Sequence, residues 1–131
     1  MKKFFILLIL FTSFNSFSQS QSEINQSLTK MADEINQTLP MNIDEYTVLV
    51  NMYAGFGKVI YNYQVDESLF EDFNMKLSEW RTSQTKVLNN SWCTNPVFDF
   101  FKNNNVSVAW NYSSNEGVFL HNIALDKNDC N

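Results

Sequence analysis

The stretch Tyr46-Thr47-Val48-Leu49-Val50-Asn51-Met52-Tyr53-Ala54, followed by Gly55-Phe56-Gly57 and then Lys58-Val59-Ile60-Tyr61-Asn62-Tyr63-Gln64-Val65, decides the fold. Tyr46, Val48, Val50 and Met52 alternate with Thr47, Leu49 and Asn51, and beyond the glycines Val59, Tyr61, Tyr63 and Val65 recur at every second position. Period-two alternation of β-branched and aromatic residues marks a half-buried strand, and a glycine-flanked connection suits a tight reversal. The stretch therefore predicts two strands joined as a hairpin. Gly55-Phe56-Gly57-Lys58 lacks the spacing and the following Ser or Thr of a phosphate loop, so it reads as a turn.

Upstream, Ile24, Leu28, Met31 and Ile35 fall at i, i+4, i+7 and i+11, which predicts an amphipathic helix over 22–39 that ends at Pro40. Downstream, Ser68-Leu69-Phe70-Glu71 has the form of a capping box, and Phe70, Phe73, Leu77, Trp80 and Val87 then line one face of a helix running to Leu88. Asn89-Asn90-Ser91 reads as a break, and Thr94-Asn95-Pro96 as the start of a short helix over 96–102. Asn103-Asn104-Asn105 turns the chain into a third strand carrying Val106, Val108, Trp110 and Tyr112 on one side, and a turn at 114–117 leads to a fourth over 118–125. The order α-β-β-α-α-β-β predicts an α+β fold, one four-stranded sheet of two hairpins with helices on one face. The pairing between hairpins stays open, because a helical crossover allows the second and third strands to run in parallel. Tyr61-Asn62-Tyr63 and Trp110-Asn111-Tyr112 echo each other, and cross-strand aromatic packing accounts for the echo. The rival reading makes Tyr61, Tyr63, Trp110 and Tyr112 a binding surface.

Residues 1–18 read as a secretory signal peptide. Lys2 and Lys3 form its basic start, Phe4 to Phe11 its apolar block, and Ser16 and Ser18 the small residues before the cleavage point. The apolar block is far shorter than the roughly 20 residues a membrane-spanning helix needs, and no cysteine stands at the cleavage point for lipid attachment. The expectation is an exported chain, periplasmic or secreted, without membrane insertion. Cleavage leaves residues 19–131, sized for a single small domain with one core. Losing Lys2 and Lys3 takes the basic count from 9 to 7 against 14 acids, a net charge of −7. Such a surface repels nucleic acid, and the remaining cations are scattered singly.

Cys93 and Cys130 are the only cysteines, and an even count in a small exported chain predicts a structural disulfide. The pair lacks the Cys-x-x-Cys spacing of a redox site, and with His121 as the sole histidine there are too few soft ligands for a metal centre. No cofactor motif appears. His121 lies on a strand with no nucleophile motif to serve. The carboxylate pairs Asp44-Glu45, Asp66-Glu67 and Glu71-Asp72 fall at turns and helix starts, where negative charge favours the helix dipole.

As a set, Leu39-Pro40-Met41-Asn42-Ile43-Asp44, Val59-Ile60-Tyr61-Asn62-Tyr63, Cys93-Thr94-Asn95-Pro96 and the closing Asp129-Cys130 resemble a recurrent group of small exported bacterial proteins. That group has a Leu-Pro-Met start, a Tyr-x-Tyr strand, a Cys-Thr-x-Pro turn and a terminal Asp-Cys. The resemblance covers Leu39 to Cys130, implies one domain and a disulfide, and carries over no activity; Trp110 stands where the group's pattern has tyrosine. The residues point to a non-enzymatic accessory or binding domain of the cell envelope whose partner is another protein. An inhibitor or immunity protein masking a basic toxin or hydrolase is the alternative that the acidity favours. A small hydrolase using a carboxylate or His121 is a third, and no catalytic constellation supports it.

Overall fold

The computed structural model describes residues 20–130, so the signal-peptide reading, with Ser16 and Ser18, lies outside the described residues. In chain order the elements are α1 (Gln21–Asn36), β1 (Met41–Asn42), β2 (Thr47–Gly55), β3 (Lys58–Val65), α2 (Ser68–Asp72), α3 (Leu77–Thr94), a 3-10 turn (Pro96–Phe98), α4 (Asp99–Asn103), β4 (Ser107–Ser114), β5 (Phe119–Leu125) and a closing 3-10 turn (Lys127–Cys130). The fold is α+β with a single mixed sheet in the order β1-β2-β3-β4-β5, five strands where the hydrophobic pattern predicts four. The addition is β1, whose two residues pair antiparallel with β2 as Met41↔Leu49 and Asn42↔Val48. Two residues carry no period, which is why the strand escapes a pattern-based reading.

The central hairpin forms as the glycines suggest. Gly55 pairs with Lys58, and both connecting residues take positive φ, Phe56 at 54° and Gly57 at 71°. This primed turn matches the right-handed twist of the strands, and a phenylalanine accepts the left-handed conformation there. In β3 the predicted alternation holds: Val59 and Val65 are fully buried, with Tyr61 and Tyr63 packed between them. In β2 it does not. A register shift between Leu49 and Asn51 breaks the period, so Leu49 is buried with Met52, while Val48 and Val50 of the even-numbered series are only half-buried.

The pairing left open by the sequence is parallel. β3 and β4 run side by side from Lys58↔Ser107 to Val65↔Ser114, and β5 adds antiparallel to β4. Ile24, Leu28 and Ala32 of α1, Trp80 and Trp92 of α3 and Phe101 of α4 join Val59, Val65, Val108, Trp110 and Tyr112 in one core cluster. Those strand residues share one face by alternation, so the helices cover that face. On the other face four asparagines stand in register across four strands: Asn62 Nδ2 donates to Asn51 Oδ1 at 2.7 Å, Asn111 Nδ2 to Asn62 Oδ1 at 3.1 Å, and Asn122 Nδ2 to Asn111 Oδ1.

Two helical expectations need correction. The helix predicted from Phe70 to Leu88 is two helices, because after α2 the chain passes through Asn74 in the left-handed conformation, with Met75 N–H donating to the Phe70 carbonyl at 3.0 Å. Nor does Asn89-Asn90-Ser91 break α3, which continues to Thr94. Continuation carries Trp92 into the core with no exposed surface, a gain that outweighs the weak helix propensity of asparagine. The predicted Ser68 cap is also replaced: Asp66 Oδ1 accepts from Ser68 N–H at 3.0 Å.

Cys93 near the end of α3 is bonded to Cys130, 37 positions further along the sequence, with Cα atoms 5.3 Å apart. Trp92 Nε1 donates to the Asp126 carbonyl at 2.9 Å, so the C-terminal segment is held twice. The α1 helix docks through side-chain amides as well as its apolar face. Asn36 Nδ2 donates to the Met52 carbonyl at 2.7 Å and Asn36 Oδ1 accepts from Met52 N–H at 2.8 Å, satisfying β2 where β1 has already ended.

Replacing Cys93 and Cys130 together by Ser is expected to lower unfolding free energy by about 4 kcal/mol, the loop-closure value for this span, in urea melts. Asn36→Ala is expected to cost about 1–2 kcal/mol in the same melts, because it leaves both Met52 backbone groups without their partner.

Candidate functional site

The parallel register sets Tyr61 beside Trp110 and Tyr63 beside Tyr112, with ring centroids 6.2 and 5.0 Å apart and planes within 18° and 15° of parallel. These rings lie on the face that α3 covers. Trp80 meets Tyr112 edge-on at 5.3 Å, and Trp92 meets Trp110 edge-on at 6.2 Å. Trp110 and Tyr112 are buried, and Tyr61 and Tyr63 half-buried. Burial raises all three phenols above the usual tyrosine value, Tyr112 to about 12. The four residues are brought together, Trp110 and Tyr112 within the core and Tyr61 and Tyr63 half-buried against it, beneath the tryptophans of the crossover helix.

His121 sits on β5 opposite Tyr112, 6.3 Å from the Trp80 ring, with Nε2 2.9 Å from Thr85 Oγ1 on α3. Burial first, and the Arg81 charge second, hold its pKa below the usual histidine value. Among the described residues no group of three or more His, Cys, Asp or Glu side chains is placed to hold a metal ion.

A more suggestive geometry lies at the end of the sheet where β2 begins. The three carboxylate pairs scattered through the sequence converge there around Tyr46. Tyr46 donates its hydroxyl to Asp72 Oδ2 at 2.9 Å, its backbone carbonyl accepts from Asp66 N–H at 2.8 Å, and its N–H donates to Asp44 Oδ1 at 2.9 Å. The Asp72 hydrogen bond above all, with the charges of Asp72, Glu45 and Asp66, pushes the Tyr46 phenol up to about 12. Beside it opens a cleft of about 450 Å³ lined by Asp44, Glu45, Leu69, Phe73, Met75 and Trp80, with Ser83 and Gln84 of α3 completing the wall. Phe73 packs edge-on against Tyr46 at 5.7 Å yet keeps 59% of its surface exposed. No lysine or arginine lines the cleft, and none pairs with its acids among the described residues.

The site thus combines an apolar floor, one half-exposed aromatic and a rim of unneutralised carboxylates, the chemistry of a surface that receives an apolar group flanked by cations. Each carboxylate pair is visible in the sequence, where it reads as local capping. What brings the pairs together is tertiary: the loop before β2, the loop after β3 and the kink after α2 meet only once the sheet has formed.

No protein-family model matches the chain, and no curated protein matches it. Solved structures do. A protein of Pseudomonas aeruginosa provisionally described as secreted superposes with a TM-score of 0.70 at 17% identity, over 88% of this chain and 100% of that one. The pilotin EpsS of the Vibrio vulnificus type 2 secretion system gives 0.68 at 7% identity, over 85% of this chain and 94% of the other. The type II secretion system pilotin AspS of Vibrio cholerae gives 0.61 at 17% identity, over 84% and 94%. At such identities the likeness is one of fold.

The hydrogen bond from Tyr46 to Asp72 requires the protonated phenol, so its contribution is complete below the ordinary tyrosine pKa of about 10 and fades as pH rises toward about 12. In Asp72→Asn, tyrosine ring resonances should report a Tyr46 titration moved back toward 10, with the remaining phenols unshifted.

Proposed function

We propose that this chain is an exported, non-enzymatic accessory domain that works by binding another protein of the cell envelope. The observation that carries the reading is the cleft at Tyr46, Phe73 and Trp80, apolar within and acidic at its rim. A concavity of this kind suits an amphipathic segment that buries an apolar side chain against Phe73 and sets lysine or arginine against Asp44 and Glu45. The export signal expected for residues 1–18 and the fold shared with two pilotins and a protein described as secreted support the same reading. Binding at the mature net charge of −7 would be steered by long-range attraction to a basic partner and would weaken as salt screens it. The same acidity favours the second reading, an inhibitor or immunity protein that covers a basic toxin or hydrolase.

The test is affinity capture from envelope extracts with the disulfide-intact chain, alongside Phe73→Ala and a double Asp44→Asn, Glu45→Gln variant. Both changes lie on exposed positions and should leave the fold intact. A partner held by the native chain should be lost by Phe73→Ala, and its capture should fall in the double variant and at high ionic strength. Recovery of no partner above background, or capture indifferent to all three conditions, sinks the proposal. If the captured protein is a hydrolase whose activity returns on release, the inhibitor reading replaces the accessory one.

A further inference from the structure

Beyond the acidic cleft, α3 borders a second concavity of opposite character. It has a volume of about 570 Å³ and is lined by Arg81, Thr82, Thr85, Lys86 and Asn89 of α3 and His121 of β5. In a chain with 14 acids against 9 basic residues, this hollow contains no carboxylate and gathers the only arginine, a lysine and the only histidine. Neither Arg81 nor Lys86 pairs with an acid among the described residues. Arg81 is also oriented: its Nε donates to the Leu120 carbonyl at 2.6 Å, so one edge of the guanidinium is tied to β5 and the remaining N–H groups are held in a fixed direction. Thr85 meets His121 Nε2 at 2.9 Å. With a neutral imidazole protonated at Nδ1 the threonine hydroxyl donates to that nitrogen. With an imidazolium the nitrogen donates instead, and the hydroxyl proton is released to serve a ligand.

We propose that this concavity is a carboxylate-binding site, in which Arg81 supplies a paired donor edge, Lys86 a point charge, Asn89 an amide donor and Thr85 a hydroxyl that His121 frees on protonation. Its occupant is an acidic peptide segment, presenting a glutamate or aspartate side chain. The site goes beyond the Tyr46 cleft and would take the opposite charge, so one partner with alternating acidic and basic segments could engage both sides of α3. Arg81 and Lys86 from α3 are the charged groups facing His121, and Tyr112, its neighbour on β4, stays neutral to about pH 12. Burial first, and the Arg81 charge second, hold the free imidazole below the usual histidine pKa. A bound carboxylate beside the ring offsets the Arg81 charge, so binding must raise the His121 pKa, and affinity must grow as pH falls through the region below about 6.5.

The test is a titration of the full mature, disulfide-intact chain with a short oligoglutamate peptide, followed by nitrogen-detected resonances of the Arg81 Nε–H and the His121 ring. An oligoglutamine peptide of equal length and inorganic phosphate are the comparison arms. Saturable shifts with oligoglutamate alone, a raised His121 pKa in the complex, and about tenfold or greater weakening in Lys86→Gln are expected, since a hydrogen bond to a charged group contributes this much. Arg81→Gln should weaken binding at least as far. Lys86→Gln is the variant that keeps the test decisive, because the exposed Lys86 side chain makes no hydrogen bond or ion pair among the described residues and its loss leaves the fold in place. An equal response to oligoglutamine, or affinity unchanged in Lys86→Gln, overturns the proposal. Saturation by phosphate with none by oligoglutamate overturns the carboxylate assignment. None of these readouts involves Phe73, Asp44 or Glu45, so failure here and failure of the Tyr46 cleft are distinguishable.

Discussion

The parallel pairing of β3 with β4 is the constraint on which the rest of the molecule depends. Adjacent parallel strands cannot be joined by a turn, so the chain between Val65 and Ser107 must leave the sheet, cross it and return. That crossover contains α2, α3 and α4, and it is what lays Trp80 and Trp92 over the stacked rings of Tyr61, Trp110, Tyr63 and Tyr112. Aromatic contacts of this geometry add roughly 0.5–1.5 kcal/mol each beyond their buried area, so helix and sheet hold each other in one register. A slip of one residue in β4 would turn Trp110 and Tyr112 to the open face and bring Asn111 into the core, a state with buried amides and exposed rings.

Several asparagines take on definite structural duties. Asn carries both a donor and an acceptor at the end of a short side chain, so it can imitate a backbone peptide group. Asn36 does this for β2, giving Met52 the pair of hydrogen bonds that a longer β1 would have supplied. Asn25 accepts from Gly57 N–H at 2.9 Å and fixes the tip of the hairpin to the start of α1. The row Asn51, Asn62, Asn111 and Asn122 ties four strands together on the uncovered face, where no helix packs.

Much of this architecture is legible in the sequence, and the parts that are not share a cause. The period of β3, the β4 residues Val108, Trp110 and Tyr112, and the α1 positions Ile24 and Leu28 announce themselves because each is repeated several times at the spacing of its element. β1 has no repeat to detect, and the irregularity at Leu49 shifts a period that reads as regular. The Asn89-Asn90-Ser91 segment signals a break by local preference alone, and the burial of Trp92 overrides it. The aromatic quartet is legible as a set, while its covering by α3 depends on the parallel pairing, which hydrophobic pattern cannot choose. The cleft at Tyr46 is the least visible of all, since its acids are ordinary turn and cap residues until three loops converge.

One helix borders both candidate surfaces, and helical geometry explains how. At 3.6 residues per turn, Trp80 with Ser83 and Gln84 looks toward the start of β2, while Arg81, Thr85 and Asn89, at four-residue steps, look toward β5. The two stripes differ in rotation by about 100° at adjacent positions 80 and 81, so charges on one side are separated from the other by the body of the helix and its buried tryptophans. Arg81 and Lys86 line one cleft and Asp44 and Glu45 the other, and neither cation pairs with an acid among the described residues. Segregation therefore follows from placing Trp80 in the core: its burial fixes the rotation of α3, and that rotation decides which polar residues face the carboxylates and which face His121. Any change that lets α3 turn about its axis would mix the two surfaces, so the same aromatic packing that stabilises the domain also keeps the acidic and the basic cleft apart.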